Sequence, residues 1–289
     1  MLQPTDHLSI GLLFRRFWGR IGITWTLTFV ETALFALLPL LIGWSIDGLL
    51  AGDNQAFLQF CITLAALLVV SIGRRVYDTR AYGTIRAELG RAQFQKTEGQ
   101  AISKSNARVL MGRELVDFLE TEAPQAMTAI VRVTATVVIL WMFNAYLSFA
   151  AAGAAIIMLA VFWAASGRFF RLNGALNAQT EQQVAVLDSR NLKDIVKHFT
   201  RLRQHEVRLS DWESIIYGVI FAVLLSMLAF NLWYGATQIG ATTGQIFAIV
   251  SYSADFVEAA VALPYTLQAM TRLKEITQRI NLAEDEEQD

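Results

Sequence analysis

The chain has very few residues of the kinds that build metal centres, disulfides or nucleophilic active sites. It contains one cysteine, Cys61, and three separated histidines, His7, His198 and His205. A single cysteine cannot form a disulfide within the chain, and these residues show none of the spacings typical of zinc sites or Cys/His pairs. We therefore predict no enzyme activity, metal or cofactor. We expect Cys61 to be a buried apolar residue and His198 and His205 to be solvated.

Charged residues are also scarce, at 17% of the chain, whereas 54% of the residues are hydrophobic and the mean hydropathy is +0.41. This composition exceeds the apolar content that a soluble core needs. Six apolar runs occupy residues 21–49, 57–73, 126–143, 146–165, 215–234 and 246–267. Lipid offers no hydrogen-bond partner to an exposed backbone, and no alternating barrel pattern is present. The sequence therefore predicts an all-α membrane protein with six transmembrane helices.

Lysine and arginine are missing from three connections between these runs, residues 51–56, 144–145 and 235–243. All 24 basic residues fall within 15–20, 74–132, 168–208 and 272–279. The positive-inside rule then predicts a multi-pass protein of the plasma (inner) membrane with both termini in the cytoplasm. Because basic residues beside apolar helices are a membrane signature, we expect the lipid bilayer and no nucleic acid as a partner.

Proline is absent from two long connections, residues 74–122 and 168–211, and both keep apolar residues at helical spacing. We predict that each connection forms a cytoplasmic helical stalk. Arms of roughly 20 to 25 residues would project about 30 to 35 Å beyond the membrane at the helical rise per residue. The predicted organisation is an amphipathic cytoplasmic segment at 1–20, a six-helix domain at 21–282 and an acidic tail at 283–289.

The 289 residues also lack the G-x-x-x-x-G-K-[ST] pattern, whose backbone and lysine hold nucleotide phosphates. We expect that the chain does not hydrolyse ATP by itself. Four segments nevertheless resemble the transmembrane domain of type IV ABC exporters, and the likeness covers about residues 12–282. They are the amphipathic stretch 12–20, PLLIGWSIDGLLAGD, NARVLMGRELVDFLETEAP and TTGQIFAIVSYSADFVEAAVALPYTLQAMTRLKEITQRI.

This resemblance implies a domain-swapped homodimer in which the fourth and fifth helices cross to the partner and a substrate cavity lies between two wings. The small residues at 150–155 permit close helix approach, either between subunits or within one. The resemblance also implies that the stalk tips are places where a separately encoded ABC ATPase would dock. The candidate docking residues are Asn106, Arg108, Arg113, Asn191 and Lys193.

Four charged residues fall inside the predicted spans, where an ionised group is costly unless it is paired or hydrated: Glu31, Arg132, Asp255 and Glu258. At 1.5 Å per residue they lie about 16 to 24 Å below the outer interface, in one central layer. Asp255 and Glu258 share a helix face, so they either share a proton or flank Arg132. We interpret the group as a proton-coupling site in a transport cavity. The alternative is a static ion pair that sets helix register. Glu31 has no evident cationic partner.

Prolines interrupt the first and last spans at Pro39 and Pro264. Each frees a backbone carbonyl and is a possible hinge, although membrane helices also tolerate proline as a plain kink.

Three functions are consistent with these features. The first is a transporter without its own ATPase, driven by protons, that moves a peptide or an amphipathic small molecule. The second is the membrane subunit of a separate ABC ATPase, and the third is a non-transporting scaffold or assembly factor. The substrate and the direction of transport do not follow from the residues.

Overall fold

The computed structural model describes residues 10–96, 110 and 112–262, and the regular secondary structure in these ranges is helical. The helices are α1 Ile10–Leu50, α2 Gln55–Lys96, α3 Gly112–Phe143, α4 Ala145–Glu181, α5 Gln183–Asp188, α6 Leu192–Thr237 and α7 Thr243–Ala262. Within the described residues, all except α5 are long and apolar enough to cross a membrane. The predicted all-α fold with six spanning helices is confirmed.

The connections at one end of the bundle are very short, and polar side chains form them. The Asp53 carboxylate accepts the backbone N–H of Gln55 at 2.9 Å, and Asn144 caps α4 by accepting the N–H of Tyr146 at 2.9 Å. Before α7, Thr242 and Gln245 bond each other's backbone N–H groups reciprocally, at 3.1 and 3.2 Å, which is a capping box. We call this the turn end, and the opposite end the stalk end.

Two separate apolar cores hold the helices together. The turn-end core joins α3, α4, α6 and α7, and its fully buried members include Leu140, Ala151, Leu224 and Phe256. The stalk core joins the start of α1 to the far half of α2 and the start of α3. Because Ala151 belongs to the turn-end core together with residues of α6, this part of the small-residue stretch of α4 packs within the subunit.

Both predicted stalks are helical where the structure describes them. The first stalk consists of α2 beyond Arg74 and the first turns of α3, and its α2 arm is about 33 Å long at the helical rise per residue. The second stalk consists of the ends of α4 and α6 that lie farthest from the turn end, joined through α5.

Three local features depart from the sequence expectations. Residues Phe118–Glu122 form a π-helical stretch in α3, directly before Pro124, which has no N–H to bond the Glu120 carbonyl. Helix α1 is kinked at Phe17, where φ is −110° and ψ is 19°. Cys61 is exposed, and the prediction that it is buried is wrong, because only 6% of the most apolar stretch of α2 is covered.

Several predictions lie outside the described residues. These are the hinge at Pro264, the docking residues Asn106 and Arg108, and the acidic tail at 283–289. The division of the chain at residues 20 and 282 stays a prediction.

Candidate functional site

A cavity of about 790 Å³ lies between α1, α2, α3 and α7. It extends from Arg75 and Glu120, on the side of the stalks, to Thr136 and Tyr252, nearer the turn end. Its ionisable lining residues are Glu31, Arg74, Arg75, Glu120, Arg132, Asp255 and Glu258. The structure therefore brings all four charged residues singled out in the sequence to one cavity.

Arg132 on α3 lies between the two carboxylates of α7. Its Nη2 is 3.1 Å from Asp255 Oδ1, and its Nη1 is 3.2 Å from Glu258 Oε1. Of the two arrangements considered for these acids, the structure has the one in which they flank the arginine. The Glu258 side chain is 73% exposed, against 35% for Asp255. Glu258 is therefore the more accessible of the two acids.

Glu31 also has a cationic partner, so the expectation that it lacks one is wrong. Arg74 Nε contacts the Glu31 carboxylate, Ser71 donates a hydrogen bond to it, and Arg74 Nη1 is 3.3 Å from Asp78 Oδ2. Helices α1 and α2 form an antiparallel hairpin, so Glu31 and Arg74 lie about equally far, roughly 24 to 28 Å, from the short turn that joins them.

A third arginine, Arg86 on α2, is shared in the same way by two carboxylates of α3. Its Nη2 is 2.6 Å from Asp117 Oδ1 and also contacts Glu120. Because Glu120 lines the cavity, this cluster connects the first stalk to it. Sequence reasoning missed the cluster, although the three-residue spacing of Asp117 and Glu120 places both acids on one helix face.

The first of the possible hinges, Pro39, lies within a continuous α1. Proline at this position cannot donate to the carbonyl of Phe35, four residues earlier. Nearby, the hydroxyl of Tyr252 on α7 donates to the carbonyl of Ala36 at 2.7 Å. The α1 backbone near Pro39 is therefore tied to α7, three residues before Asp255.

A second set of contacts joins α1 to α7 at the turn end. The Asp47 carboxylate accepts the backbone N–H of Gly244 at 2.8 Å and the hydroxyl of Thr242 at 2.5 Å. Gly43 and Gly244 bring their backbones into contact: a Cβ added to Gly244 would meet the Gly43 carbonyl oxygen at 1.9 Å. We call these contacts the turn-end clasp. The sequence indicates the turn-end clasp only weakly, because its visible feature in α1 is a glycine, Gly43, four residues before an aspartate, Asp47.

The described stalk-tip residues are exposed. Asn191 caps α6 by accepting the N–H of Lys193 at 3.1 Å, and Arg190 next to it has a φ of 51°. Arg113 on the first stalk is 65% exposed and lies 3.8 Å from Asp117. None of these geometries by itself identifies a partner.

His198 is buried, at 3% exposure, so the prediction that it is solvated is wrong. Its Nδ1 is 2.7 Å from Gln179 Nε2, which links the two arms of the second stalk. The arms shield their facing side chains from solvent, and periodicity alone did not show which faces meet. Among the described residues no group of three or more His, Cys, Asp or Glu is placed to hold a metal ion.

Comparison with known protein families gives one result for this chain. The family model for the ABC transporter transmembrane region matches residues 10–244. No curated protein matches the chain significantly. The matched range includes α1 to α6 and the start of α7, and therefore most of the cavity wall.

Proposed function

We propose that the cavity of this chain, which belongs to the family of ABC transporter transmembrane regions, is a translocation site driven by protons at Asp255 and Glu258. The chain is a multi-pass integral membrane protein and a membrane transport subunit. We place it in the plasma (inner) membrane with the stalk end in the cytoplasm, because the stalks carry the basic residues and the turns carry none.

The observation that carries the proposal is the contact of Arg132 with two protonatable groups on a cavity wall. Two neighbouring carboxylates are costly to keep ionised together, and a single arginine compensates only one of them. Protonation of either acid weakens its bond to Arg132, and so weakens the tie between α3 and α7. A proton can thus alter the packing of two cavity walls.

The cavity in this structure suits access from the stalk end. Its lining reaches Arg75 and Glu120 on that side, and the turn-end clasp together with the Tyr252 hydrogen bond joins α1 to α7 on the other. We propose that this is the inward-open arrangement. Opening to the other side would require the turn-end clasp to break or another pair of helices to part.

The test is transport in proteoliposomes with an imposed pH gradient. We expect Asp255→Asn and Glu258→Gln to abolish gradient-dependent uptake while leaving assembly unchanged by size-exclusion chromatography. Glu206→Gln is the matched control, since this carboxylate is exposed on the second stalk, away from the cavity. Unchanged uptake in both cavity variants would refute the proton-coupling role.

We also propose the homodimer that the family resemblance implies, with the stalk ends of α4 and α6 crossing to the partner. It is supported by exposed apolar side chains along the second stalk: Phe170 (66%), Val196 (56%), Phe199 (44%) and Val207 (46%). In a Cys61→Ser background, Phe199→Cys should be protected from maleimide in the assembled protein and labelled after dissociation. Equal labelling in both states, or a monomer by light scattering, would contradict the dimer.

A second candidate is the membrane subunit of a separate ABC ATPase. It is favoured by exposed apolar residues at the tip of the second stalk: Val184 (78%), Leu187 (45%) and Leu192 (73%). This function predicts co-purification of a nucleotide-binding protein that is lost when Leu192 is changed to Glu. Transport by the isolated chain in liposomes would count against it. The scaffold interpretation has less support. A cavity of low polarity would favour it, whereas charged residues line this cavity.

A further inference from the structure

The charged residues in and beside the cavity have a common arrangement. Each of three arginines, Arg74, Arg86 and Arg132, is shared by two carboxylates. When all groups are ionised, every such cluster carries one excess negative charge. The cavity lining itself has four carboxylates and three guanidinium groups. In a site with low-dielectric walls such an excess attracts cations and repels anions.

At two of the three arginines that line the cavity an anionic ligand would have to compete with carboxylates, and the third, Arg75, lies on the side of the stalks. Arg132 donates to both Asp255 and Glu258, and Arg74 contacts both Glu31 and Asp78. A cationic ligand can reach a carboxylate that is still accessible, Glu258. The Glu258 side chain is mostly exposed, and Arg132 contacts only one of its two oxygens. Glu258 is therefore the carboxylate best placed to receive a positively charged group.

The part of the cavity nearer the turn end is apolar. Phe35 (50% exposed), Leu38, Pro39 and Ala135 line it. An apolar wall beside a small number of polar groups is typical of sites for organic molecules, and a volume of about 790 Å³ is within the usual range for such sites.

A polar group without a partner also faces this space. Thr136 lines the cavity and is 3% exposed, and its hydroxyl makes no hydrogen bond within the described part of the chain. Other threonines of the same cavity wall, Thr28 and Thr32, bond carbonyls one turn earlier in α1. The Thr136 hydroxyl is thus available to a ligand.

We propose that the cavity binds amphipathic organic cations, with the charged group at Glu258 and the apolar body against Phe35 and Leu38. This inference rests on the proposed function, because it assigns the substrate class of the same site. Cation and proton then compete for Glu258. A bound cation also weakens the hold of Glu258 on Arg132, as protonation does, so both ligands act on the contact between α3 and α7.

The experiment compares two probes of nearly the same shape and opposite charge, tetraphenylphosphonium and tetraphenylborate. Equilibrium binding is measured on the full-length protein in a non-ionic detergent at pH 7.5 and low salt, with empty micelles subtracted. We expect the phosphonium ion to bind at least about tenfold more tightly than the borate, and the difference to shrink as salt is added. Equal binding, or tighter binding of the borate, would overturn the proposal.

Variants place the binding at Glu258. Glu258→Gln should weaken phosphonium binding by about tenfold, the effect of losing one charge contact in a partly solvated site. Glu258→Asp, which keeps the charge, should retain most of the affinity, and Glu206→Gln should leave it unchanged. Thermal unfolding of each variant excludes misfolding as the cause. If folded Glu258→Gln binds the phosphonium ion as the unsubstituted protein does, the site is not at Glu258 and the proposal fails.

The binding assay needs no gradient, so its outcome separates from that of the transport assay. Charge-selective binding without proton-driven uptake would leave the cation site in place and remove the proposed driving force. Proton-driven uptake of a neutral substrate by a protein that does not distinguish the two probes would retain the transporter and reject the substrate class.

Discussion

The two stalks have the same length scale and the same helical construction, but they are supported in different ways. The first stalk has its own apolar core, in which Ile85, Leu115 and Val116 are completely buried, and the Tyr82 hydroxyl donates to the Leu119 carbonyl at 2.8 Å. In the described part of the second stalk, Gln179 and His198 are the buried residues, and its arms are joined by one hydrogen bond and by the Arg168 guanidinium, 4.2 Å from the centre of the Trp212 ring.

This difference indicates two different roles. The first stalk is connected to the cavity inside the subunit, because Glu120 belongs both to the Arg86 cluster and to the cavity wall. The second stalk has little support within the chain and exposes apolar residues, which fits the proposal that a partner subunit covers it.

The largest expected effect on stability comes from truncating a buried side chain in the stalk core. Leu115→Ala should destabilise the protein by about 2–5 kcal/mol, because it removes a fully buried side chain and leaves a cavity. The matched change in the second stalk, Leu192→Ala, should cost less than about 0.5 kcal/mol, since Leu192 is exposed at the stalk tip. The midpoint of thermal unfolding in detergent checks both. Similar shifts for the two variants would remove the contrast between the stalks.

A smaller effect is expected from Arg86→Gln, which leaves Asp117 and Glu120 without their shared cation. We expect a loss of about 1–2 kcal/mol, reduced by solvent because the Arg86 side chain is 31% exposed. Adding Asp117→Asn should restore part of the stability, because it removes the repulsion between the two acids. If the double variant is no more stable than Arg86→Gln alone, charge balance is not what this cluster contributes.

The smallest effect should follow from Gln179→Ala in the second stalk. It leaves His198 Nδ1 without a partner in a buried position, at a cost of about 1 kcal/mol. Hydrogen exchange should become faster in both arms of the second stalk and stay unchanged in the first, because the two stalks have separate cores. Faster exchange around Leu115 as well would show that the stalks are coupled within one subunit.

Much of the fold could be predicted because it depends on local patterns. The spans follow from apolar runs long enough to cross a bilayer, and the stalks follow from helical spacing without proline. The meeting of Arg132 with Asp255 and Glu258 could also be predicted. Depth along a helix can be counted at 1.5 Å per residue, so charges at equal depth in neighbouring spans become candidates for contact.

Counting residues does not predict how each helix is rotated about its own axis. The pairing of Glu31 with Arg74, the burial of His198 and the exposure of Cys61 all depend on which face of a helix meets its neighbour. So does the turn-end clasp, where two glycine backbones touch although about 200 residues separate them in the chain. The faces that meet are decided by side-chain packing between helices.

The sequence by itself therefore determined how many helices cross the membrane, where their charges lie along the membrane normal, and which ends carry stalks. These properties are set by the hydrophobic effect and by helical rise, which act residue by residue. The tertiary structure decided which arginine holds which acid and where a cavity remains. Those outcomes depend on the simultaneous packing of several helices, for which no single segment of the chain carries the information.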